Sequence, residues 1–86
     1  MDYCLITFSS SSGAIQAQRV LKGQVSFQTM PVLREISASC GIALRLPPEG
    51  AETARTLLST SELRREEYTF YAVTGQGPSL AAVPLA

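Results

Sequence analysis

The run Tyr3-Cys4-Leu5-Ile6-Thr7-Phe8 decides the fold. It is almost wholly apolar, rich in β formers and too short for a helix. It reads as a strand buried on both faces. Four serines and a glycine follow, Ser9 to Gly13. They suit a helix start, because a serine oxygen accepts from an unpaired N–H of the first turn. From Ser12 the apolar positions fall at Ala14, Ala17 and Leu21, with Ile15 and Val20 beside them. Gln16, Gln18, Arg19 and Lys22 then face water. Arg19 and Lys22 complement the C-terminal end of the helix dipole, and Gly23 can take the left-handed conformation that ends a helix.

Downstream, Val25, Phe27 and Thr29 alternate with Ser26, Gln28 and Met30, which predicts a second strand closed by Pro31. Residues 31–41 have no clean period and read as a long connection. Ile42, Leu44 and Leu46 alternate with Ala43 and Arg45 as a third strand, ended by Pro47-Pro48. Glu49 to Leu58 returns to helical spacing, with Ala51, Ala54, Leu57 and Leu58 inward and Leu63 extending the packing. Glu67 to Val73 predicts a fourth strand with Tyr68, Phe70 and Ala72 on one face. The order β-α-β-β-α-β is that of an α+β, ferredoxin-like split βαβ fold. It implies an antiparallel sheet ordered 4-1-3-2 with both helices on one face. The expected domain spans residues 1–74, and 75–86, with its glycines and prolines, is expected to be a flexible C-terminal tail. The face away from the helices is expected to be open and to carry some of Cys4, Ile6, Phe8, Thr69, Tyr71 and Val73. An exposed apolar face marks an interface, so a homodimer or larger homo-oligomer is expected.

Composition narrows the chemistry. At 86 residues the chain makes one small domain with little room for a deep internal active site. Hydrophobic residues are 45% and mean hydropathy is +0.14, so the chain is globular in character. Seven basic and seven acidic residues cancel, which argues against nucleic acid or an anionic membrane as partner. No His is present, which removes Ser-His and Cys-His catalytic pairs and His-based metal sites. Two cysteines, Cys4 and Cys40, are too few for a disulfide framework or a one-chain zinc site. No segment approaches the ~18 apolar residues of a membrane span, and the N-terminus lacks a signal-like block. A cytoplasmic setting is therefore expected, in which thiols stay reduced.

Cys40 is the candidate reactive group. It just precedes the third strand, whose start lies beside the end of the first. That placement brings it near Ser10, Ser11, Ser12 and Gly13 at the start of the first helix. A helix N-terminus offers unpaired N–H groups and partial positive charge, and a thiolate there is stabilised. Arg34 would add a fixed cation, Ser37 and Ser39 could donate hydrogen bonds to a sulfur anion, and Gly41 would admit another backbone closely. Cys4 lies towards the opposite end of the first strand, about 13 Å from Phe8 at ~3.3 Å per residue, too far to bridge to Cys40. It reads as a core residue. Gly75-Gln76-Gly77 does not open a helix and is no dinucleotide loop. The serine cluster caps a helix, since no base is present to activate a nucleophile.

The segment Arg34-Glu35-Ile36-Ser37-Ala38-Ser39-Cys40-Gly41-Ile42-Ala43-Leu44-Arg45 resembles the signature of the putative selenium/sulfur (Se/S) carrier protein-like family. The opening strand and serine turn are also similar to that family. The resemblance covers residues 3 to 73, with one departure: Leu33 stands where a second proline is expected. It implies that Cys40 holds a persulfide or selenopersulfide and passes it between sulfur or selenium donor and acceptor proteins. No cofactor is implied beyond that covalent load. Such exchange needs an accessible, low-pKa sulfur and no general base, so the chain is read as a carrier or binding protein rather than an enzyme. The alternative reading is a non-catalytic ligand-binding or protein-interaction module that dimerises through its open sheet face.

Overall fold

A computed structural model describes residues 1–33, 36 and 41–85. Five strands form one antiparallel sheet: β1 (Tyr3–Phe8), β2 (Gln28–Pro31), β3 (Ile42–Leu46), β4 (Tyr68–Thr74) and β5 (Ala81–Pro84), ordered β2-β3-β1-β4-β5. Two α-helices, α1 (Ser11–Leu21) and α2 (Ala51–Ser59), pack on one face. The chain is thus α+β, and its first four strands keep the expected neighbours. The expected four-strand order is corrected by a fifth strand. Residues 81–84, read from sequence as part of a loose tail, pair with β4, with Tyr71 opposite Pro84 and Thr74 opposite Ala81. The turn between them needs glycine: Gly75 has φ +81° and Gly77 φ +58°. The Gly75 amide also donates to Asp2 Oδ2 at 2.7 Å, tying this turn to the N-terminus.

β1 is central and all six of its residues are buried, as its unbroken apolar run requires. Alternate residues divide between two clusters. Cys4, Ile6 and Phe8 join Leu44, Leu46 and Phe70 beneath Ala14, Ala17, Leu21, Ala54 and Leu58 of the helices. Each fully buried Leu or Phe there contributes about 1.5–3 kcal/mol relative to exposure. Tyr3 and Leu5 point the other way and meet Ala43 and Val73.

That second cluster corrects the expectation of an open apolar face. Cys4, Ile6 and Phe8 belong under the helices, because a continuous apolar run carries no parity signal. On the opposite side, Leu5 and Val73 have no exposure, and Ile36, 6% exposed, packs with them. Val32, Leu33, Leu80 and Ala82 pack against the same cluster. Self-association through this face therefore has less apolar surface to bury than the sequence pattern suggested.

The second strand is shorter than expected and starts at Gln28. Val25 and Phe27 still pack against the helix-side core, but from the connection after α1. Gly23, with φ +78°, turns the chain out of that helix. A 3-10 turn, Pro48–Gly50, leads directly into α2. Among the described residues no helix is long and apolar enough to cross a membrane.

Candidate functional site

The start of α1 is built by serine. Ser10 is extended (φ −150°, ψ 157°), and its Oγ accepts from the Gly13 amide at 3.1 Å. The Ser10 carbonyl accepts from the Ala14 amide at 3.2 Å. Ser10 and Ser12 hydroxyls lie 3.2 Å apart. The cap thus occupies the third and fourth amides of the turn. Those of Ser11 and Ser12 have no acceptor within the helix, and they carry the positive end of its dipole. Gly13 is buried, and a Cβ there would stand 3.3 Å from Ser10 Oγ and 3.7 Å from Leu63 Cδ2. Glycine at this position keeps the cap hydroxyl in place.

The β1–β3 register sets what lies beside this turn. Thr7 lies opposite Ala43 in antiparallel pairing. Gly41, two residues before Ala43, therefore falls beside the turn where β1 gives way to α1. The Val32 amide donates to the Gly41 carbonyl at 3.1 Å. That bond closes the base of the connection that carries the candidate cysteine. Gly41 itself is exposed, and a Cβ there would meet open space. Of the site residues expected from sequence, Ser10, Ser11, Ser12, Gly13 and Gly41 share this end of the sheet. Arg34, Ser37, Ser39 and Cys40 lie outside the described residues.

The other thiol is accounted for. Cys4 has no solvent exposure and sits in the helix-side core. Burial pushes its pKa up to about 11, with the Arg55 guanidinium pulling the other way. A neutral, sealed thiol is neither nucleophile nor anion acceptor. Sequence reasoning did not find the bond between Val32 and Gly41, because a backbone contact across a loop leaves no mark on residue type.

Residues 3–69 match the family described as putative Se/S carrier protein-like. The chain belongs to that family. The match covers β1, α1, β2, β3 and α2, and it includes the whole connection around Cys40. It stops at the second residue of β4, leaving β5 outside. No curated protein and no solved structure shows a significant match to the chain.

Proposed function

We propose that this protein is a cytoplasmic carrier that holds sulfur or selenium on Cys40 as a persulfide or selenopersulfide. The observation that carries the reading is the family match, whose span includes Cys40. Burial of Cys4 adds to it, since that thiol is sealed in the helix-side core and Cys40 is the chain's other cysteine. In the loading step the Cys40 thiolate attacks the outer sulfur of a donor protein's persulfide. A new S–S bond forms on Cys40, the donor's S–S bond breaks, and the donor cysteine leaves as thiolate, with no net oxidation. An acceptor nucleophile then takes the outer sulfur and returns Cys40 to thiolate. Arg34 and the Ser11 and Ser12 amides are assigned to stabilising the anion, and Ser37, Ser39 and Gly41 to shaping its surroundings. The chain then needs no resident metal or organic cofactor.

Intact-mass measurement after incubation with a cysteine desulfurase and cysteine tests this. The expected result is a reductant-sensitive adduct of about 32 Da on the wild type and on Cys4→Ala, and none on Cys40→Ser. An adduct that persists in Cys40→Ser, or none on the wild type, contradicts it.

A further inference from the structure

Among the described residues the sheet ends in two edge strands, β2 on one side and β5 on the other. An edge strand offers a row of backbone N–H and C=O groups to any other extended chain, and charged side chains are a common guard against such pairing. Neither strand has one: β2 is Gln28-Thr29-Met30-Pro31 and β5 is Ala81-Ala82-Val83-Pro84. β5 is also apolar, and its Val83 is 58% exposed. What the two strands share is a proline at the last position.

The register fixes which way each proline faces. In an antiparallel ladder, successive residues turn their backbone groups alternately towards the partner strand and away from it. The Leu85 amide donates to the Phe70 carbonyl at 2.8 Å, so Leu85, Val83 and Ala81 turn theirs to β4, and Ala82 and Pro84 turn away. The Val32 amide donates to the Gly41 carbonyl at 3.1 Å, so Val32, Met30 and Gln28 turn theirs to β3, and Thr29 and Pro31 turn away. Each four-residue edge thus has two outward positions, and a proline, which has no N–H, fills one of them. An ordinary residue there would complete two outward donors at the spacing an antiparallel neighbour uses. The same arrangement recurs at two edges far apart in sequence. We infer that Pro31 and Pro84 close the two edges of the sheet against strand addition by a second copy of this chain. The inference is independent of what Cys40 carries.

Hydrogen exchange of the wild-type chain is the first test. The outward Ala82 amide should exchange at least about tenfold faster than the inward amides of Val83 and Leu85, at a rate independent of protein concentration. Protection of Ala82 that grows with concentration overturns the proposal. Pro31→Thr and Pro84→Thr then restore an outward amide without adding a large apolar side chain. In sedimentation equilibrium each variant should dimerise at least about tenfold more tightly than the wild type. In Pro84→Thr the Ala82 amide should become protected as concentration rises. Ala81 is exposed, so adding Ala81→Lys to Pro84→Thr places a charge on that edge and should return the protein to the wild-type state. Folded variants that associate no more than the wild type overturn the proposal. Association that leaves Ala82 unprotected in Pro84→Thr, or that survives Ala81→Lys, also overturns it. Circular dichroism reports folding, and if one variant unfolds, the other proline and the wild-type exchange pattern decide.

Discussion

The Val32 amide and the Gly41 carbonyl are joined by a 3.1 Å hydrogen bond. These residues flank the connection that contains Cys40, and the bond fixes its two ends together beyond the last β2–β3 pair, Pro31 opposite Ile42. A short base on a long loop lowers the entropy of holding the loop in one place. It also holds Gly41 at the sheet end where α1 begins. The position of Gly41, next to Cys40 in sequence, thus follows from strand register.

Cys4 should resist modification in the folded protein. Its sulfur has no exposure, and its pKa is pushed up to about 11 by burial. The unfolded thiol ionises first, near 9.0, so this group's contribution to stability is complete below that pH and is lost as pH rises towards 11. Alkylation of Cys40→Ser, which retains Cys4, should be negligible at pH 8 without denaturant and complete in its presence. Cys4→Ser should lower stability by about 1–3 kcal/mol in urea unfolding, because it buries a hydroxyl without an arranged partner.

Ser10 carries the cap of α1, so Ser10→Ala should cost about 1 kcal/mol. Ser10→Asp should retain most of that stability, since a carboxylate can accept from the same amide and favours the positive helix end. Urea unfolding midpoints with unchanged m-values would show this. Equal loss in both variants would mean that the Gly13 amide contributes little.

Two glycines in the β4–β5 turn should differ sharply. A Cβ at Gly75, where φ is +81°, would stand 2.5 Å from the Ser79 carbonyl oxygen. At Gly77, φ is +58° and the space is open. Gly75→Ala should therefore cost more than about 2 kcal/mol and loosen β5, whereas Gly77→Ala should cost about 1 kcal/mol. Hydrogen exchange of the Leu85 amide, bonded to the Phe70 carbonyl, reads the strand directly. Similar exchange in the two variants would contradict the steric account.

The strong periodic signals carried through to the structure. Ala14, Ala17 and Leu21 turn inward on α1, and β1 is buried throughout, because both patterns follow from burial on a regular backbone. What escaped was set by context. The Ala81–Pro84 segment has no apolar alternation and includes a proline, yet it pairs at a sheet edge, where a missing amide is tolerated. Val25 and Phe27 look like strand residues because they are buried alternately, but they reach the core from a loop. Ile36 and Leu80 cover the second sheet face from irregular segments, whose apolar residues follow no period. At the site, Ser10 to Gly13 were legible as a cap, while the closing of the loop at Val32 and Gly41 was not, since it uses backbone atoms alone.

The rate of Cys40 alkylation as a function of pH, followed by mass in the Cys4→Ala protein, tests the central claim most directly. A thiol poised to accept sulfane sulfur beside the Ser11 and Ser12 amides should titrate clearly below the free value of about 8.5. Its apparent pKa should rise when high salt screens the helix end. An apparent pKa at or above the free value, or a sulfur that reacts only after unfolding, would contradict it.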